Sequence, residues 1–344
     1  MMRNILGRFG LVLVILLGME GVYRWVHYAA DMRLYAPAVV RFDSLVGLDG
    51  DVLYLGESSN WTTGPEDRDM RSISQMVGDA LFPVVVRDFT EPATHGGHYQ
   101  SLLERIPDSS GIETVVVTLN LRSFGPDWVY SRLEPQLARQ FLLAELEPRL
   151  WARLRIGFGS SVLDSPERLE GLRNRMWASA VLPAPAPYPT TRAWDRNLNE
   201  VGWLDADRVR NQDSTELACH YVKSYGFGID PARHPRIRDF DAMALWSKAR
   251  GKRLVFLLLA ENVRQAEALA GPEIAELMRA NADFLVHRYR SRGVEVVNAL
   301  EVLPPSVFID KTWTTEHYTE AGRSALARRL THQLQMQPQG ASLP

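Results

Sequence analysis

"DVLYLGESSNW", Asp51–Trp61, is a short apolar run that stops at a glycine, with a carboxylate and two hydroxyls directly behind it. Val52–Leu55 shows no polar alternation, the pattern of a strand covered on both faces. Such a strand belongs in a parallel sheet clothed by helices. Its tip, Gly56-Glu57-Ser58-Ser59-Asn60, then falls at the carboxyl end of the strand. Open α/β sheets gather their functional groups there.

The same alternation recurs outward from this stretch. Residues 70–81 have helical spacing, with Ile73, Met76, Val77, Ala80 and Leu81 on one face. "PVVVRDF" reads as a second strand and "HYQSLLERI" as a helix. "IETVVVTLNL" is the third and strongest strand. "FDAMALWSKARG" reads as a helix closed by glycine, and "KRLVFLLLAEN" as a fourth strand. A long amphipathic helix, "EIAELMRANADFLVHRYRSRG", precedes a fifth strand, "VEVVNAL". "TEAGRSALARRLTHQL" is a terminal helix. Strands alternating with helices predict a parallel sheet with helices on both faces.

Residues 31–50 read as a connecting segment. Residues 124–238, between the third and fourth strands, are too long for a structureless loop. They read as a helical insertion containing a proline-rich stretch, "LPAPAPYPTTRAW", favoured as a solvated loop over a mobile lid. The tail, 336–344, reads as disordered, and no internal repeat is visible.

The chain has 344 residues, 46% hydrophobic and 23% charged, which is ordinary globular composition. A net charge of −2 gives no electrostatic reason to expect nucleic acid as a partner. Cys219 is the single cysteine, which excludes an intramolecular disulfide and a cysteine-built metal site. At the N-terminus, Arg3 and Arg8 precede an apolar run from Phe9 to Met19. A basic leader before a short hydrophobic region is the layout of a signal sequence. Apolar character resumes after Glu20 at Val22, Tyr23, Trp25 and Val26, with aromatics suited to a membrane interface. Residues 1–30 are therefore expected to be an uncleaved signal anchor, with residues 31–335 outside the cytoplasm. A cleaved signal peptide and an ordinary N-terminal helix are the alternatives.

The residues that follow each strand converge on one edge. Glu57, Ser58 and Ser59 follow the first. Arg87, Asp88 and "EPATHGGHY" follow the second. Asn120, Arg122 and Ser123 follow the third, and Glu261 and Asn262 the fourth. "FIDKTWTTEHYTEAG" follows the fifth. A serine hydroxyl becomes a useful nucleophile when a base takes its proton, and a histidine suits that task near neutral pH.

The chain order Ser, Gly, Asn, His over such a sheet resembles the SGNH (GDSL-type) hydrolase superfamily. "LYLGESSN" is similar to its first block, with Glu57 in place of the usual aspartate. "THGGHY" is similar to the glycine block, "TLNLRSF" to the asparagine block and "WTTEHYTEAGR" to the histidine block. The resemblance spans roughly residues 50–125 and 250–330. It implies a flavodoxin-like three-layer α/β/α sandwich with a central, mostly parallel five-stranded sheet. It implies Ser58 as nucleophile and His317 as base. The oxyanion donors would be the Ser58 N–H, the Gly96 or Gly97 N–H and the Asn120 amide. The family's acid sits three residues before the histidine, where this chain has Thr314. Asp310, which could fold back toward the imidazole, is the expected replacement. Glu316, adjacent in sequence and so directed elsewhere, and a Ser–His dyad are the alternatives.

Arg122, Glu57 and Asn262 are expected to line the substrate site. His95 and His98 read as surface or pocket-lining residues, with no metal or cofactor expected. Trp128, Trp151, Trp177, Trp194 and Trp203 read as core residues before sugar platforms. The expected function is acyl transfer from an acyl donor, as esterase or O-acyltransferase, on an envelope polysaccharide. The resemblance places a membrane-bound O-acyltransferase beside it. A domain that binds a glycan or partner without turnover is the alternative.

Overall fold

The structure is a computed structural model and describes residues 2–131, 133–158, 165–183 and 186–336. The expected disordered tail lies, from residue 337 on, outside the described residues, as do Ala184 and Pro185 of the proline-rich stretch. Five strands form the central sheet: β1 (Val52–Gly56), β2 (Val86–Thr90), β3 (Thr114–Leu119), β4 (Arg253–Leu258) and β5 (Glu295–Asn298). Their order is β2-β1-β3-β4-β5, and every pairing is parallel, where a mostly parallel sheet was expected. This is the flavodoxin-like order, with its switch point between β1 and β3.

Both faces are covered, which explains the unbroken apolar runs. Leu53, Leu55, Val115, Val117, Phe256 and Leu258 pack into one core with Phe42, Tyr99, Phe240 and Tyr289. Their neighbours Val52, Tyr54, Val116, Val255, Leu257 and Val297 pack into the other, with Ile73, Val77, Leu326 and Leu330. Successive residues point to opposite faces, so each strand feeds both cores. The helices Ile73–Leu81 and Glu320–Gln335 lie on the second face. The first is covered by Gly96–Leu103, Pro235–Arg250 and Pro272–Arg290. Ser72 and Gln75 form a reciprocal capping box that starts Ile73–Leu81.

Three readings change. Arg87 and Asp88 lie inside β2, an edge strand that runs on to Thr90. The supposed connector holds two helices, Tyr28–Tyr35 and Pro37–Val46, and Val39, Phe42 and Val46 are core residues. The insertion ends at His234, because the returning helix begins at Pro235. Its helices include Thr191–Val201 and Gln212–Tyr225, and Trp194, Val222 and Tyr225 merge with the sheet's own core.

At the N-terminus a helix of 25 residues runs from Met2 to Val26. Among the described residues no single helix is long and apolar enough to cross a membrane. Gly10–Val26 and Tyr28–Tyr35 pass together as a pair bent by 65°.

Candidate active site

β1 delivers Ser58. At Gly56 a Cβ would lie 2.6 Å from the Tyr54 ring and 3.3 Å from Asn60 Cβ, so only glycine lets the chain turn here. Glu57 is extended, and Ser58–Asn60 form one 3₁₀ turn. Buried Asn60 locks that turn. Its amide nitrogen donates to Ser74 Oγ (3.0 Å) and Thr90 Oγ1 (2.8 Å), and its oxygen accepts from Ser74 N (2.9 Å). The Thr62 hydroxyl donates to the Ser58 carbonyl at 2.8 Å.

The histidine comes from the loop before the last helix. Ser58 Oγ lies 2.9 Å from His317 Nε2, and His317 Nδ1 lies 2.8 Å from Asp310 Oδ2. Asp310 reaches the ring because the loop folds on itself as a small ladder. Ile309 N donates to the His317 carbonyl and Thr319 N to the Val307 carbonyl, both at 2.9 Å. Phe308 and Tyr318 form an antiparallel bridge in the same ladder. The register sets Ile309 across from His317, and Asp310, the next residue along, reaches the ring although seven positions separate it from His317 in sequence. The Thr315 hydroxyl also donates to Asp310 Oδ2. Thr314 is buried and pairs with the Ser224 hydroxyl at 3.2 Å.

Behind this row lies a buried polar cluster. The Asn120 amide nitrogen donates to Glu57 Oε1 (2.8 Å) and Glu316 Oε2 (2.9 Å). Arg122 pairs with the same Glu316 oxygen at 2.6 Å. The Tyr225 hydroxyl donates to Glu261 Oε2 at 2.6 Å and reaches Glu316 Oε1 at 3.3 Å. Three buried carboxyls therefore share one guanidinium. Burial, with the charge of Glu316, pushes Glu57 up to about 7, against the pull of Arg122 and Asn120. Burial and Glu316 also hold Glu261 well above the usual carboxylate range. A shortage of positive charge in a dry site is met by keeping protons on carboxyls.

This cluster corrects several sequence expectations. Both Asn120 amide hydrogens are engaged by carboxyls, which removes them from the expected oxyanion site. Arg122, expected to line the substrate site, is buried, ion-paired with Glu316 and stacked 4.6 Å from the Trp128 ring. Glu57 is equally buried behind the serine. Asn262 caps the helix Val263–Ala270, accepting from Gln265 N, and is spent on that role. Gly96 packs tightly under Phe240, where a Cβ would come within 2.9 Å of the ring. The Gly97 N–H donates to His95 Nδ1 at 3.2 Å. His95 and His98 are buried rather than surface residues, their rings stacked at 4.0 Å, with Phe141 stacked on His98 at 4.7 Å. Among the described residues no group of three His, Cys, Asp or Glu could hold a metal ion.

Two features escaped the sequence reading. The first is Arg323, fully buried at the start of the last helix. It donates to the carbonyls of Thr62, Asp69, Arg71 and Tyr318 and pairs with Asp67 at 2.8 Å. It thereby ties the segment after Ser58 to the segment after His317, and no local motif announces it. The second is a pair of half-exposed tryptophans, Trp61 (49%) and Trp313 (50%). They lie three residues after Ser58 and four before His317. Of the tryptophans considered from sequence, Trp194 is buried, Trp128 lies under Arg122, and Trp151 is exposed.

No protein-family model matches the chain, and no curated protein sequence does. Solved structures similar to it include a lipase/acylhydrolase from Enterococcus faecalis. That structure has 9% identity and a TM-score of 0.33, over 85% of this chain and 100% of the other. An acetylxylan esterase variant from Geobacillus stearothermophilus has 8% identity and a TM-score of 0.38, over 84% and 97%. Likenesses of this size carry no weight for activity.

Proposed function

We propose that the chain is an SGNH-type serine acyl-transfer enzyme with Ser58 as nucleophile, His317 as base and Asp310 as acid partner. The supporting observation is the unbroken row from Ser58 Oγ through the imidazole to Asp310, at 2.9 and 2.8 Å. The Ser58 proton passes to Nε2 as Oγ attacks the acyl carbon. The carbonyl oxygen becomes an oxyanion, for which the backbone N–H groups of Ser58 and Gly96 are the proposed donors. Collapse expels the alcohol, which takes its proton from Nε2 and leaves Ser58 acylated. Water, or a sugar hydroxyl in a transferase, then attacks the acyl carbon as His317 Nε2 removes its proton, and collapse breaks the bond to Ser58 Oγ, which takes that proton back from Nε2. Asp310 holds the Nδ1–H and offsets the imidazolium charge.

The substrate in this reading is an O-acylated polysaccharide of the cell envelope, served beside a membrane-bound O-acyltransferase. Support comes from the half-exposed rings of Trp61 and Trp313, which offer flat apolar faces to a sugar ring. The basic leader and apolar helix support placement at a membrane with the domain outside the cytoplasm. A fluorophosphonate probe tests the chemistry. Labelling of the native chain that disappears in Ser58→Ala is the expected result. A folded native chain that takes up no label would overturn it and leave a binding domain without turnover. Acceleration of acyl-donor consumption by added polysaccharide would mark a transferase.

A further inference from the structure

Leu11 to Leu17 are seven consecutive apolar residues of the N-terminal helix, each between 51% and 65% exposed. Seven positions make almost two helical turns, so no face of the helix is covered there. A protein groove would cover one stripe. A medium that surrounds the helix covers every side, and for apolar side chains that medium is lipid. The apolar run ends at Glu20, and the structure gives this carboxylate a task. Glu20 Oε1 accepts from Arg149 N at 2.9 Å and Oε2 from Leu150 N at 2.8 Å. These are the first amides of the helix Arg149–Gly157, whose own N-cap, Pro148, offers no side-chain cap. Arg153 on that helix pairs with Asp31 at 2.8 Å, and buried Tyr23 donates to the same carboxylate at 3.0 Å. The two helices are thus joined at several points.

The outward side of the second helix is apolar as well. Trp151, Leu154 and Phe158 are exposed, and with Leu13, Leu16 and Leu17 the first two line one continuous trough. We propose that Arg149–Gly157 is a second lipid-facing element. Trp151 and Leu154 on it, and Phe158 directly after it, lie in the interfacial layer of the bilayer that receives Leu11–Leu17. Glu20 is the joint that fixes the enzyme's tilt on that surface. Charges at the joint, Arg24, Glu147 and Arg149, are paired with one another or with Glu20, which suits a layer of falling polarity. The inference rests on the reading that the N-terminal helix enters a membrane.

The test uses the full chain with vesicles of phosphatidylcholine and phosphatidylglycerol. A polarity-sensitive dye is placed on single cysteines at Leu13, Leu154, Phe158 or, as a control outside both helices, exposed Phe82. Native Cys219 is buried, so labelling is selective. The expected result is a blue shift and quenching by spin-labelled lipid at 13, 154 and 158, with none at 82. Glu20→Ala should abolish the response at 154 and 158 and leave that at 13. A response at 13 with 154 and 158 in water would overturn the second contact and leave the anchor standing. No response at 13 would overturn both.

Discussion

Asp310 makes its only approach to the imidazole through Oδ2, which also takes the Thr315 hydroxyl. Asp310→Asn should therefore keep the fold and lower kcat by about 10²–10⁴-fold, because the amide no longer favours the Nδ1–H tautomer. Hydrolysis of a small chromogenic ester measures it, and a rate within twofold of native would remove Asp310 from the mechanism. Glu57 carries a pH prediction. Its folded value of about 7 lies above the ordinary 4.5, so the native state holds a proton that the unfolded chain has released. The stability it contributes is full below about 4.5 and is lost as pH rises through about 7. Glu57→Gln should flatten this trend, and melting temperatures at pH about 5 and about 8 should converge. An unchanged pH slope would show that Glu57 is ionised throughout. Ser58 and His317 were legible as letters because each follows a strand or precedes a helix in a recognisable block. Asn120, Arg122 and Glu57, expected as oxyanion and substrate contacts, meet in a buried polar cluster instead. The Glu316 that Asn120 and Arg122 share comes from a distant segment, and sequence spacing does not reveal which carboxyls meet.

Single elements were legible in proportion to how little they depend on their neighbours. β3 and β4 are built on the apolar runs Val115–Val117 and Leu254–Leu258 and read correctly. Tyr28–Tyr35 and Pro37–Val46 are short, divided at Ala36 by a proline start, and gain their burial only against the first-face core. Arg323 acts between elements. With no exposure of its own and an Asp67 partner only 5% exposed, it joins the chain beyond β1 to the last helix. Arg323→Met removes the guanidinium from that buried carboxylate, which keeps only the Gly64 and Glu320 N–H donors, and from four carbonyls. We expect a loss of about 3–5 kcal/mol in urea unfolding. Activity should fall beyond what the unfolded fraction explains, since Ser58 and His317 depend on the same tie. A variant of native stability and rate would mean that the other contacts of the last helix suffice.

At the scale of the molecule, the α/β class followed from alternation, while the insertion's depth did not. Trp194, Val222 and Tyr225 enter the core of the sheet itself, so the insertion is structural support for the site's floor. The N-terminal helix is likewise bound into the domain, through Tyr23 and Glu20. A chain lacking residues 1–26 should therefore lose more than its apolar segment. The amides of Arg149 and Leu150 would lose their cap, a change that typically costs about 0.5–2 kcal/mol. Calorimetry in detergent should show a lower melting temperature than that of the full chain, and an equal one would mean the helix is only tethered.

The small ladder around Asp310 and His317 has a dynamic consequence. Asp310 and His317 belong to one folded loop, whereas Ser58 sits in the turn directly after β1. Were that loop to swing as a unit, His317 would part from Ser58 and stay with Asp310, leaving the contact between ring and carboxylate intact. The amides of Ile309 and Thr319 then exchange with solvent only when the loop itself melts. Slow exchange at those two amides alongside intermittent loss of labelling at Ser58 would separate a resting pose from a damaged one.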